Sequence, residues 1–191
     1  MTRNFAARVL SVLGHPALLM PGAVVLAGLN KNAAPNVLIA AAAVSVFVSV
    51  IVVTYSWEQV RSGNWSHLDA SVLGERSQLN AFLAFIFFFA AALMGWVGMP
   101  PAVIAGLAVA GLLVVFAQIM RRWLKVSLHV SFAVFAASLL WPSVFGTALI
   151  LCVAIGVAWS RLELQRHTAQ EVALGLFAGT AGGIFFNLFA A

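Results

Sequence analysis

Long apolar runs separated by short polar breaks set the pattern of this chain. Windows at 9–29, 36–57, 79–98, 102–120, 129–142, 144–160 and 168–189 are apolar almost throughout. A helix apolar on one stripe packs on a soluble core, whereas one apolar all round is embedded in a bundle or in lipid. Most of the runs approach the ~20 residues needed to cross a bilayer core. The pattern predicts an all-α polytopic membrane bundle with about six to seven transmembrane helices, in a single domain. "NKNAAPN" at 30–36, "GMPP" at 98–101 and "WPSVFG" at 141–146 supply the turns between neighbours. The runs at 129–142 and 144–160 are short enough to form a broken or tightly turned pair, which leaves the count open by one. No internal repeat or low-complexity linker is visible.

The start, "MTRNFAARVLSVLGHPALLMPG", is basic and then apolar, the outline of a signal peptide. The apolar stretch runs on through Ala23–Leu29 without a clear cleavage site, so it is read as a retained first span. Composition agrees with a membrane protein. The 191 residues are 63% hydrophobic and 8% charged, against about 45–50% and about 25% in soluble domains. The net charge of +5 is not a nucleic-acid signature, because the basic residues sit at segment ends and form no aromatic-interleaved patch. Topology and anionic headgroups account for it better. The single cysteine, Cys152, excludes an intramolecular disulfide and a cysteine-rich metal site. Its apolar setting predicts a small buried packing residue.

Charge placement adds the first functional information. Arg3 and Arg8 precede the first run, and Glu58, Arg61, His67, Asp69, Glu75 and Arg76 fill the break after the second. Arg121, Arg122, Lys125 and His129 follow the fourth, and Arg161, Glu163, Arg166, His167 and Glu171 follow the sixth. Each intervening pair of spans returns the chain to one face, which therefore carries every acid and every base except Lys31. The positive-inside rule makes that face cytoplasmic. The expected location is an integral protein of a bacterial inner (plasma) membrane. Ionisable groups at a membrane protein's interior are costly unless paired or functional.

Three polar segments share that face. In "SRLELQRHTAQE" (160–171), His167 and Glu171 are one helical turn apart. A carboxylate on one imidazole nitrogen fixes the tautomer and leaves the other free as a nucleophile. Arg161 brings a planar fork suited to phosphate oxygens. In "RRWLKVSLHVSF" (121–132), Lys125, Ser127 and His129 stand where a loop enters a helix, whose free N–H groups favour an anion. His129 could protonate a leaving oxygen. In "WSHLDASVLGERSQLN" (65–80), Arg76 offers a second oxyanion clamp that Asp69 and Glu75 could orient. No second carboxylate stands at ligand spacing from Asp69, so neither metal nor other cofactor is expected. The plain alternatives are a salt bridge at a helix boundary and interfacial histidines bonded to backbone.

Together these segments resemble the type-2 phosphatidic acid phosphatase family, which shares its site with the vanadium haloperoxidases. That family's third motif is S-R, five residues, H, three residues, D; here it reads Ser160-Arg161, five residues, His167, three residues, Glu171. Its second, P-S-G-H, corresponds to Val126-Ser127-Leu128-His129. Its first, K, six residues, R-P, corresponds to Asp69, six residues, Arg76-Ser77. The segments follow the family's order over roughly residues 65–180. The resemblance implies metal-independent phosphate-ester hydrolysis through a phosphohistidine. His167 would attack phosphorus, Glu171 orient it and His129 protonate the leaving oxygen. Arg76, Arg161, Ser160, Lys125 and Ser127 would hold the phosphoryl group. This chain departs from the pattern at three places. Asp69 stands for the phosphate-binding lysine, with Lys125 or Arg122 as candidates to compensate. Leu128 stands for a glycine that lets backbone approach the phosphate. Glu171 for aspartate lengthens the arm and keeps its chemistry.

The bundle favours a lipid phosphate as substrate: phosphatidic acid, phosphatidylglycerophosphate, or a polyprenyl phosphate, pyrophosphate or phosphosugar. The rival from another class is a non-enzymatic membrane protein, a small transporter or an anionic-lipid-binding subunit. Intramembrane phosphotransferases with aspartate-rich metal motifs fit poorly, since the five acids are scattered over three loops.

Overall fold

The computed structural model describes residues 2–68 and 72–189, so Asp69 lies outside the described residues. Those residues form eight helices: α1 (Thr2–Leu13), α2 (Pro16–Asn30), α3 (Pro35–Arg61), α4 (Leu73–Trp96), α5 (Pro101–Met120), α6 (Leu128–Leu139), α7 (Val144–Glu163) and α8 (Ala169–Phe189). Proline opens α2, α3 and α5, where its missing N–H costs nothing and its fixed φ already suits a helix. The protein is a helical membrane bundle. Five helices, α3, α4, α5, α7 and α8, are long and apolar enough to cross a bilayer.

The first expected span, 9–29, is not one helix. The chain bends by 56° between α1 and α2. Pro16 disfavours the helical region at the residue before it, and His15 is extended at φ −65, ψ 132. His15 then caps α2, its Nδ1 accepting from Ala17 N at 3.2 Å. α1 is two-faced: Ala7 and Ser11 are buried, whereas Phe5, Val9 and Val12 are exposed. It packs on α7, where Gly14 lies against Val157 and Arg3 pairs with Glu163 at 3.4 Å. Counting the bent pair as one gives six candidate spans, within the six to seven expected. α6 is not among them, since its 12 residues rise only about 18 Å against a core of about 30 Å.

That short helix is the centre of the bundle. Val130, Ala133, Phe135 and Ala136 are fully buried, and Phe135 meets Phe186 of α8 edge to face. α8 runs parallel to α6 and approaches it over Gly175, Gly179 and Gly183. A Cβ at Gly175 would lie 2.8 Å from Ser127 O, and one at Gly179 would lie 2.5 Å from Ser131 O. Small residues at one face allow such close contact between membrane helices. α3 is the opposite case, burying only Val48 and Ser56 along its length. It is fastened near its end, where Tyr55 stacks on Phe82 at 4.0 Å and meets Trp65 edge to face. Cys152 is exposed, contrary to expectation. α7 turns Gly146, Ile150, Ala154 and Val157 inward, and Cys152 falls on its other face.

Candidate functional site

α2, α4, α6 and α8 begin, and α3, α5 and α7 end, at one end of the bundle. The end of α7 gathers the first group. Gln165 takes a left-handed conformation at φ 53, closing the helix. Arg166 N and His167 N then both donate to Arg161 O, at 3.0 and 3.3 Å, so that Arg161, Arg166 and His167 share one tight turn. α8 starts immediately afterwards with a reciprocal cap. Thr168 N donates to Glu171 Oε2 at 3.1 Å, and Glu171 N donates to Thr168 Oγ1 at 3.3 Å.

The loop between α5 and α6 is fastened to that cap. Lys125 N donates to Glu171 Oε1 at 3.3 Å, Ser127 N to Glu171 O at 3.2 Å, and Lys125 Nζ to Arg166 O at 3.1 Å. His167 Nδ1 lies 3.0 Å from Glu171 Oε2 and 3.1 Å from Lys125 O. Two acceptors at Nδ1 place the proton there and leave Nε2 with its lone pair available. The side chains of His167 and Glu171 are 8% and 14% exposed. Burial, and then the Lys125 ammonium, lower the His167 pKa, outweighing the opposite effect of Glu171. Burial and the nearby Arg76 likewise lower that of Lys125.

His167 and Lys125 line a cavity of ≈ 1700 Å³, together with Arg76, Arg161, Arg166, His129 and His15. Arg161 is 2% exposed. His129 presents a buried Nε2 with no hydrogen-bond partner among the described residues, and its ring meets that of His15 edge to face at 4.9 Å. Away from this cationic end the lining is mostly apolar, through Val48, Leu83, Phe87, Ala110, Phe132 and Phe135, with Ser45 and Ser49 among them and Lys31 at the opposite end.

Most of the residues singled out in the sequence thus converge, but not all face the cavity. Ser127 is fully buried beside Gly175 of α8, away from the cavity lining, and its hydroxyl has no partner among the described residues. Ser160 is also fully buried, with its hydroxyl donating to Val157 O at 2.8 Å. Neither serine reaches a ligand in the cavity, because each sits on a face that packs against another helix. Glu75 bonds the preceding loop: Oε1 accepts from Ser66 N and Oγ at 2.8 and 3.1 Å, and Oε2 from Val72 N at 3.4 Å. Two further participants carry their own signals in the sequence. His15 stands in "GHP", the one ionisable interruption of its apolar run, and Thr168 opens the T-x-x-E signature of the cap. No family model, curated protein or solved structure matches this chain.

Proposed function

We propose that this protein is a membrane-embedded lipid phosphate phosphatase that works through a phosphohistidine without a metal. The observation that carries the reading is the His167–Glu171 pair facing a cavity cationic at one end and mostly apolar beyond. Glu171 Oε2 and Lys125 O hold the proton on His167 Nδ1. In the proposed reaction Nε2 attacks phosphorus, the N–P bond forms and the bond to the lipid oxygen breaks. His129 delivers a proton to that departing oxygen. Arg161, Arg76, Arg166 and Lys125 neutralise the charge spread over the phosphoryl oxygens. Water then attacks the phosphohistidine, releasing inorganic phosphate and restoring the imidazole. The apolar lining takes the hydrocarbon tail. The excess of basic residues at this end supports a cytoplasmic site in a bacterial inner (plasma) membrane.

The test is inorganic phosphate release by the purified protein from a panel of lipid phosphates, with chelator present, beside His167→Ala. Chelator-resistant release that the substitution abolishes is the expected result. Binding of the same lipids without release, equal in both proteins, would instead establish an anionic-lipid-binding protein.

A further inference from the structure

Below the cations the cavity does not turn apolar at once. Arg76, Asn80, Leu83 and Phe87 line it along one face of α4. Asn80 follows Arg76 by one turn, a rise of about 6 Å. It is 1% exposed, and its Nδ2 is buried with no hydrogen-bond partner among the described residues. Buried amide groups nearly always have a partner, so this one calls for an explanation. Neighbouring contacts fix what surrounds it. Tyr55 stacks on Phe82, which brings Ser56 of α3 to about the level of Asn80. Gln118 Nε2 donates to Ser77 Oγ at 2.9 Å, which brings Ala117 of α5 there too. Ser56 and Ala117 are small and, like Asn80, line the cavity.

We propose that Asn80 donates a hydrogen bond to a backbone carbonyl of the lipid, making the substrate an ester-linked glycerol phosphate. The inference rests on the lipid-phosphate reading above. From the cationic end inward the cavity offers cations, the Asn80 amide and then a mostly apolar lining in which the hydroxyls of Ser49 and Ser45 and, at the opposite end, Lys31 are the further polar groups. An acylated glycerol phosphate carries phosphate, ester carbonyls and tails in that order, with the carbonyls a few bonds from phosphorus. A polyprenyl phosphate passes directly from phosphate to hydrocarbon and would bury the Asn80 amide without an acceptor.

The experiment compares a diacyl phosphatidate with its dialkyl-ether counterpart of equal chain length, which lacks only the carbonyls. Phosphate release and the shift in thermal unfolding are both measured on the full chain, with Asn80→Leu and Asn80→Ser alongside. The wild-type protein should favour the ester lipid by about tenfold in kcat/KM, the scale of one added hydrogen bond. It should also be stabilised more by that lipid, because ligand binding raises unfolding stability with the logarithm of affinity. In either variant that folds, both preferences should fall toward one. An ester-selective stabilisation without any phosphate release would keep the Asn80 subsite while removing the hydrolase reading. Equal stabilisation by the two lipids overturns the subsite whether or not phosphate is released, as does an ester preference that survives both substitutions.

Discussion

Glu171 joins the cap of α8, the α5–α6 loop and the His167 ring through a single carboxylate, so its substitutions separate chemistry from architecture. Glu171→Gln keeps an oxygen for Thr168 N and removes the charge that supports an imidazolium. Phosphate release should fall by about 10²–10⁴, the range of a general acid–base contribution, with a stability loss of about 1 kcal/mol from the Lys125 N–H left facing an amide NH2. Glu171→Ala also strips the cap, and should cost a further ~1–2 kcal/mol in denaturant unfolding. The pH dependence follows from the lowered His167 pKa, whose first cause is burial and second Lys125. The neutral, nucleophilic imidazole then persists below the ordinary histidine value of ~6.5. Release should stay level as pH falls past that value and decline only on further acidification. A break at or above it would count against His167 as nucleophile. Stability follows the same sign: the unfolded chain takes up this proton first, so acidification through the interval weakens the fold. His15 is tested by Asn, which preserves an acceptor for Ala17 N but loses the ring against His129. His15→Asn should therefore slow release at nearly unchanged stability, whereas His15→Ala should lower both.

The elements place these residues through two devices, a break and a ridge. The break at Gly14–His15 turns what reads as one apolar run into a surface-packed α1 and a bundle helix α2, and delivers His15 to the cavity. Hydropathy averaged over a window does not register it, but the histidine before Pro16 does, since it combines a capping side chain with the restriction proline imposes on its predecessor. The ridge is Gly175, Gly179 and Gly183, spaced one turn apart on α8. It lets α6 approach until Ser127 N bonds Glu171 O, and that approach sets the Lys125 carbonyl beside His167. At Gly179 an added Cβ meets backbone oxygen, which cannot rotate away. Gly179→Ala should cost about 1–3 kcal/mol, as overpacking does, and lower activity with it. Gly22, with open space around its Cβ, is the control expected to tolerate alanine.

At the scale of the whole molecule the polar ends of seven helices meet at one end of the bundle, and the last helix runs away from it. With the charged end cytoplasmic, a reporter fused after residue 191 should report the outer side of the membrane, and a cytoplasmic signal would reverse the proposed orientation. The membrane bundle, the clustering of charge at one face and the pairing of His167 with Glu171 are all determined by the sequence alone. The reason is that each depends on local order: the length of an apolar run, the parity of spans, and residues one helical turn apart. The outcome for Ser127, Ser160 and Cys152 was decided elsewhere, by which face of a helix meets another helix. An apolar helix facing lipid on one side and protein on the other shows no polarity contrast between them, so periodicity carries no signal of orientation. Asn80 was hidden for the same reason. Only the packing of α3, α4 and α5 around a common cavity reveals that this amide is buried without a partner one turn beneath Arg76.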